Sequence, residues 1–161
     1  MADAFIALGS NLNDPRRQLD RAIDLLDQQA DILLYKVSSY YENPPMPGSA
    51  PNQPNYINAV VWLKTELKPQ TLLQLLLDIE QQLGRQRRER WEARVIDLDF
   101  LLYDNLMLSE SALQLPHLGL QERAFVVIPL YEIAPDLVLP DGTRLKELRR
   151  EFMQHTLEKL T

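Results

Sequence analysis

A strongly patterned segment lies in the second half of the chain, where residues 95–102 read VIDLDFLL. Apolar residues alternate there with two aspartates, which predicts a half-buried β-strand. Because successive side chains of a strand point to opposite faces, the even positions 96–102 are expected on a core face. Asp97 and Asp99 then share the other face, with Cα atoms about 6.6 Å apart.

The elements around this strand follow the order β-α-β-β-α-β, the split βαβ or ferredoxin-like arrangement. They are predicted as a strand at 4–8, a helix at 15–29, strands at 32–41 and 56–64, a helix carrying Leu72, Leu76, Ile79 and Leu83, and a strand at 94–103. Asp14 is expected to cap the first helix, with Pro15 at its first position. We therefore predict an α+β fold with an antiparallel sheet and both helices on one face.

The C-terminal part is expected to add further helices. One is predicted at 121–134, after an irregular segment at 106–119. Thr143 is expected to cap a final helix whose apolar residues are Leu145, Leu148, Phe152 and Leu160. A length of 161 residues predicts one domain spanning 1–161.

Composition narrows the classes of function. Lys plus Arg number 17 and Asp plus Glu 23, and the resulting net charge of −6 is unfavourable for a general nucleic-acid binder. The absence of cysteine excludes disulfides and thiolate metal sites. The sequence contains neither a long apolar run nor a signal-peptide pattern. We expect a cytoplasmic monomer that binds no nucleic acid and no membrane.

The paired aspartates are the strongest chemical signal. Two parallel carboxylates at this spacing repel each other unless protons or cations intervene. Oxygen ligands of this kind suit Mg²⁺, which also takes phosphate oxygens. The alternative is that Asp97 and Asp99 are solvated on an exposed sheet face. Their continuous apolar flanks favour the metal site, because unpaired charges on a half-buried strand are costly.

A basic cluster directly precedes the aspartates and consists of Arg85, Arg87, Arg88, Arg90 and Arg94. Arginine side chains match phosphate geometry with paired hydrogen bonds. A cationic loop beside a carboxylate pair suits a Mg–nucleotide complex, although Glu89 and Glu92 also allow a solvated, balanced loop. None of the five glycines forms a G-x-G-x-x-G or G-x-x-x-x-G-K-[ST] motif. Arginines and metal would therefore hold a triphosphate.

A third signal lies in the strand at 56–64. The Asn58 amide offers donors and an acceptor that could read the edge of a flat heterocycle, and Tyr56 on the same face could stack on its plane. An amide satisfied by neighbouring backbone is an equal alternative. His117 is one of two histidines, and a surface role is the simpler interpretation of it alone.

Several further motifs stand in order along the chain. They are GSNL at 9–12, YENPP at 41–45, QPNYIN at 53–58, RWEARVIDLD at 90–99, LPH at 115–117, RAF at 123–125 and PLYEIAP at 129–135. Together they resemble the 6-hydroxymethyl-7,8-dihydropterin pyrophosphokinases of folate synthesis, over about residues 4–142. The resemblance implies transfer of the β,γ-diphosphate of ATP to the hydroxymethyl group of the pterin, with release of AMP.

The resemblance also implies roles for individual residues. Asp97 and Asp99 would hold two Mg²⁺ ions and, with Arg94, form the catalytic group. The ATP-binding residues would be Arg87, Arg88, Arg94, His117 and Arg123. The pterin-binding residues would be Asn43, Pro44, Pro45, Tyr56, Asn58, Trp91 and Phe125, with the ring between Tyr56 and Phe125. Loops at 9–14, 43–55 and 85–92 would be mobile and rearrange as the substrates bind.

Two other interpretations remain open at this point. The chain could be another Mg-dependent nucleotidyltransferase, although Ser10 and Asp97 lie 87 positions apart, farther than that compact motif has them. It could also be a non-enzymatic ferredoxin-like module that binds RNA or a small molecule. Net charge and the lack of an aromatic-rich RNA-binding strand argue against RNA.

Overall fold

Strand β1, Ala2–Ser10, lies inside the sheet between two other strands, and its side chains are buried from Ala4 to Ser10. The computed structural model describes residues 1–45, 52–84, 95–153 and 157–160. The elements in these ranges are β1 Ala2–Ser10, α1 Pro15–Asp27, β2 Ile32–Val37, β3 Tyr40–Asn43, β4 Tyr56–Thr65, α2 Pro69–Gln82, β5 Asp97–Tyr103, β6 Leu108–Ser109, β7 Gln114–Leu115, a 3-10 turn Leu120–Glu122, α3 Ala124–Ile133, α4 Leu145–Glu151 and β8 Glu158–Leu160.

Strand order in the main sheet is β5-β1-β4-β3-β8, and β2 pairs with β4 as well. All of these pairings are antiparallel. With β2 and β3 taken as one interrupted strand, the core has the predicted ferredoxin-like topology, which is confirmed. The predicted single strand at 32–41 breaks at Ser38–Ser39, where the Ser38 N–H donates to the Val60 carbonyl and the Val60 N–H donates to the Ser38 side chain Oγ, each at 2.9 Å.

Helices cover both faces of the sheet. Helices α1 and α2 pack on one face through buried residues that include Leu19, Leu26, Leu72, Leu76 and Ile79. Helices α3 and α4 pack on the other through Val126, Val127, Leu130, Leu145 and Leu148. Each such large apolar side chain contributes about 1.5–3 kcal/mol on burial. Within the described ranges, no helix is long and apolar enough to span a bilayer.

The alternation of β5 breaks once, at a bulge. Phe5 of β1 lies opposite Leu102, but the next residue lies opposite Phe100, so Leu101 is the extra residue. Leu102 therefore packs on the α3 side of the sheet with Phe5, and its predicted place beside Leu98 is wrong. The bulge lies after both aspartates and leaves them on a common face.

Two local predictions near element ends are wrong, and a third is confirmed in part. Leu160 lies in β8, where it satisfies the otherwise unpaired edge of β3, and not in the last helix. The N-cap of α4 is Arg144 and not Thr143, whose N–H donates to Asp141 Oδ1 at 2.9 Å in the preceding turn. Asp14 is the N-cap of α1 and Pro15 is its first residue, as predicted, but Asp14 has a left-handed φ of 61° and makes no capping side-chain hydrogen bond.

Candidate active site

The two aspartates of β5 stand beside the small residues of β1. Asp97 lies opposite Gly9, and Asp99 lies opposite Ala7. Ala7 faces the α3 side of the sheet, which places both carboxylates on that side. Both aspartates are partly exposed, and the side chain of Asp99 is 42% exposed. Small neighbours and partial exposure make the carboxylates accessible from one direction.

The start of β5 is held from the opposite face of the sheet. Glu80 of α2 is only 4% exposed, and its Oε2 accepts a hydrogen bond of 2.8 Å from the Leu98 N–H. This bond fixes the backbone between the two aspartates. Their side chains therefore project from a rigid strand. Sequence periodicity alone did not single out Glu80, since it lies within the apolar stripe of α2.

A row of paired residues begins at Asp97 of β5 and crosses β1, β4 and β3. Gly9 pairs with Asp97 on one side and with Asn58 on the other, and Asn58 pairs with Tyr41 of β3. The Asn58 Nδ2 donates to Asn43 Oδ1, and Asn43 Nδ2 donates to the Pro44 carbonyl at 3.1 Å. Both amides are buried, so these bonds fix their orientation.

Successive residues of β4 face opposite sides of the sheet. Ala59, Val61 and Leu63 pack under α1 and α2, and Val60 packs under α3. Asn58 is therefore on the α3 side, the side of the aspartates, and Tyr56 points the same way. Tyr56 pairs with Asn43, so the aromatic ring and the two amides lie at one end of β3 and β4.

The start of α3 contributes a cation and an aromatic ring. The guanidinium of Arg123 lies 4.0 Å from Asp99 Oδ2 and 5.8 Å from the centre of the Phe125 ring. Gly119 permits this position, since a Cβ atom there would lie 2.5 Å from Arg123 Nε. Arg123 is thus placed to bridge from Asp99 to an anionic ligand.

His117 lies beside the same carboxylate. Its backbone N–H donates to the Leu101 carbonyl at 3.0 Å, which fixes the loop against β5. The Gly119 N–H donates to His117 Nδ1 at 3.0 Å, so Nδ1 carries no proton and Nε2 carries it. Burial lowers the pKa of His117 below 6.5, assisted by Arg123 and opposed by Asp99. A neutral imidazole at pH 7 therefore offers Nε2–H as a donor.

Two buried polar residues at the end of β1 connect the loops around the site. Ser10 is fully buried, and its Oγ donates to the Val95 carbonyl just before β5. Asn11 Nδ2 donates to Gln53 Oε1 at 3.1 Å and to the Pro54 carbonyl at 3.3 Å. Sequence reasoning gave these residues no role. The available signal was the run of polar residues directly after a buried strand.

The described residues bring together eight of the predicted positions around this sheet face: Asn43, Pro44, Tyr56, Asn58, Asp97, Asp99, His117 and Arg123. The ring of Phe125 lies beside the Arg123 guanidinium, and Pro45 follows Pro44 in the chain. Arg87, Arg88, Trp91 and Arg94 lie outside the described residues, and their assignments stay predictions.

Comparisons with known proteins identify the family. The model of the 7,8-dihydro-6-hydroxymethylpterin-pyrophosphokinase family matches residues 5–135. The chain belongs to this pyrophosphokinase family. A 2-amino-4-hydroxy-6-hydroxymethyldihydropteridine pyrophosphokinase of Haemophilus influenzae is 44% identical over 160 residues, covering 99% of each chain. The enzyme of the same name from Pseudomonas aeruginosa is 44% identical over 156 residues, covering 97% of this chain and 95% of its own.

Solved structures agree on the fold of this pyrophosphokinase. A crystal structure of Plasmodium falciparum HPPK-DHPS wild type with pteroate matches with a TM-score of 0.76 at 12% identity. The match covers 95% of the present chain and 42% of that longer chain. The predicted family and enzyme class are confirmed: the pyrophosphokinase uses ATP as co-substrate for diphosphate transfer to hydroxymethyldihydropterin in folate biosynthesis.

Proposed function

We propose that diphosphate transfer takes place on the α3 side of the sheet, between the aspartates and the amide pair. The observation that carries the proposal is the row Asp97–Gly9–Asn58 across three strands. With strands about 4.8 Å apart, its outer members lie about 10 Å apart. This span accommodates a pterin ring beside a transferring phosphoryl group.

Asp97 and Asp99 would hold two Mg²⁺ ions. Their oxygens are ligands of the type that Mg²⁺ prefers, and they are partly exposed. Among the described residues, no group of three acidic or histidine side chains forms a protein-only cation site. A pair of carboxylates leaves coordination positions for water and phosphate oxygens, so the residues fit. When bound, the ions neutralise phosphate charge and make the substrate hydroxyl more acidic.

In the reaction, the hydroxymethyl oxygen of the pterin attacks the β-phosphorus of ATP. The bond from that phosphorus to the α,β-bridging oxygen breaks, AMP leaves, and the hydroxyl proton is released. Arg123 supplies positive charge to phosphate oxygens beside Asp99, and His117 donates from Nε2. Arg87, Arg88 and Arg94 are proposed as further phosphate contacts on the strength of the sequence motif, with Arg94 in a catalytic role.

The pterin would bind at the end of β3 and β4. Asn58 and Asn43 are buried amides whose mutual hydrogen bond fixes which edge they offer, and pterin carries a matching set of donors and acceptors. Tyr56 and Phe125 supply aromatic faces for the ring. Pro44, Pro45 and Trp91 are proposed to complete the pocket.

We propose that the chain acts as one domain over 1–161, as a cytoplasmic monomer that binds its small-molecule substrates and neither nucleic acid nor membranes. The family match over most of the chain and the net charge of −6 support this view.

Product analysis tests the proposed reaction. The chain is mixed with ATP, Mg²⁺ and 6-hydroxymethyl-7,8-dihydropterin, and products are followed by ³¹P NMR and chromatography. We expect AMP and pterin diphosphate in equal amounts. Formation of ADP, or of AMP with free diphosphate, would contradict the proposed function. Omission of the pterin is the control for water as the acceptor.

A further inference from the structure

A hydrogen-bonded cluster joins α3 to the strand that carries Asn43. Glu132 of α3 accepts hydrogen bonds from the Ser39 N–H at 3.0 Å, from Ser39 Oγ at 2.8 Å and from the Tyr41 hydroxyl at 2.6 Å. Tyr41 is buried, and its ring packs with Ala124 and Ile128 of the same helix. The side chain of Tyr41 thus lies along α3 and ends at Glu132.

The cluster lies at the break between β2 and β3. Strand β2 ends at Val37, and β3 starts only at Tyr40. At Ser38–Ser39 the backbone leaves the regular ladder, so the Ser39 N–H takes the Glu132 carboxylate as its acceptor. Strand β3 has only four residues. Its position relative to α3 therefore depends on this contact as well as on its pairing with β4.

The same contacts shift the pKa of both groups. Burial would raise the pKa of Glu132, but the hydrogen bonds from Tyr41 and Ser39 outweigh it and lower the pKa. Burial and the hydrogen bond to Glu132 raise the pKa of the Tyr41 hydroxyl. At neutral pH, an ionised carboxylate therefore accepts from a neutral phenol, which is a strong type of hydrogen bond.

Both ends of the cluster continue into the proposed site. Arg123 and Phe125 stand at the start of α3, nine and seven positions before Glu132. On the strand side, Tyr41 pairs directly with Asn58 and lies two positions before Asn43. The cluster thus links the phosphate-binding and aromatic side of the site to the amide side.

We propose that Glu132 and Tyr41 are positioning residues that set the distance between Phe125 on α3 and the Asn43–Asn58 pair, and with it the affinity for the pterin. This proposal rests on the proposed function, which assigns the pterin to those residues. Neither side chain touches the substrate. They act by keeping α3 and β3 in one arrangement before the pterin binds.

The neighbouring tyrosine offers a matched control. Tyr40 is the preceding residue of β3, and its hydroxyl donates to Asp20 Oδ1 at 2.5 Å, on the α1 side of the sheet. Tyr40→Phe and Tyr41→Phe each remove one hydroxyl that donates to a carboxylate. A merely structural role predicts similar effects of the two changes on substrate binding. A positioning role predicts an effect for Tyr41 alone.

The experiment measures pterin binding by fluorescence, together with kcat and KM for both substrates. For Tyr41→Phe we expect the Kd and KM for pterin to rise about tenfold, within the range for loss of a hydrogen bond to a charged group. The KM for ATP should change less than the KM for pterin. Tyr40→Phe should leave pterin affinity within about twofold of wild type, since a surface hydrogen bond on the far face does not reach the site.

Glu132→Gln provides a second variant that retains size and one acceptor. Glu132 is exposed, so the variant should fold, and we expect it to weaken pterin binding in the same direction as Tyr41→Phe. Equal pterin affinity in wild type, Tyr41→Phe and Glu132→Gln would overturn the inference, as would an equal loss in Tyr40→Phe. The proposed function fails separately, if the wild-type chain forms no AMP with ATP and pterin.

Discussion

Gly9 and Asn58 lie opposite each other on β1 and β4, and a Cβ atom at position 9 would lie 2.8 Å from Asn58 Oδ1. The amide cannot turn away freely, because its Nδ2 donates to Asn43. Gly9→Ala should therefore displace the amide and raise the KM for pterin about tenfold. Steady-state kinetics with pterin varied at saturating ATP measures this effect.

Gly119→Ala is the matched control for that prediction. Its new Cβ atom would meet the Arg123 side chain at 2.5 Å and not an amide. We expect a higher KM for ATP and little change in the KM for pterin. The same pattern of KM changes in both alanine variants would show that Gly9 does not shape the pterin side of the site.

His117 should titrate below 6.5 in the folded protein, since burial disfavours its charged form. Proton NMR resolves the two histidines, and His117→Gln assigns their signals. Asp99→Asn should lower the pKa of His117 further, because it removes a negative charge that favours the imidazolium. Arg123→Gln should raise it. Opposite shifts would mean that the three side chains are not neighbours.

The lowered pKa of His117 also predicts how stability depends on pH. The unfolded chain binds a proton at this position near pH 6.5, and the folded chain does so only at lower pH. The free energy of unfolding should therefore fall as pH drops below about 6.5, until the folded-state pKa is reached. Urea denaturation at a series of pH values measures this dependence. The free energy of unfolding should fall less steeply with decreasing pH in His117→Gln than in wild type. An identical slope would contradict the pKa direction.

Arg123 is expected to act on ATP and not on the fold. Its guanidinium is partly exposed, 4.0 Å from Asp99, so Arg123→Gln should change the free energy of unfolding by less than about 1 kcal/mol. The KM for ATP should rise about tenfold or more, because charge-assisted hydrogen bonds to phosphate are lost. Urea denaturation and kinetics with varied ATP test the two statements. An unchanged KM for ATP would remove Arg123 from the phosphate site.

Much of the fold is predictable from local pattern. The two faces of β4 follow from its sequence, because successive side chains of a strand point to opposite sides and both sides are covered by a core. The same rule gives the wrong face for Leu102, because the bulge at Leu101 moves Leu102 to the other face. The bulge depends on how β5 pairs with β1, which the sequence of β5 alone does not indicate. The helix predicted at Leu160 is wrong because Leu160 pairs with the edge of β3, which is distant in sequence.

Some residues of the candidate site are likewise predictable from the sequence, and others are not. Asp97 and Asp99 are predictable because their common face follows from one strand. The contacts of Glu132 with Ser39 and Tyr41 are not predictable, since they join residues 91 and 93 positions apart. The role of Glu80 is not predictable for a different reason: its partner is a backbone N–H that any residue could supply.

Asp97→Asn and Asp99→Asn should each lower the rate of AMP formation about 1,000-fold or more, since several kcal/mol of charge stabilisation would be lost. Stability should change little, because both side chains are partly exposed. Asp136→Asn alters an exposed aspartate in the loop after α3 and should retain full activity. Full activity in either β5 variant would refute the carboxylate pair as the metal site.

The position of the cation tests the central claim most directly. Crystals of the chain with Mn²⁺ in place of Mg²⁺, a nonhydrolysable ATP analogue and the pterin would locate the metal by anomalous scattering. We predict two peaks within coordination distance of the Asp97 and Asp99 carboxylates, each also touching phosphate oxygens. Peaks held by other residues, or a bound nucleotide with the two aspartates uncoordinated, would contradict the account.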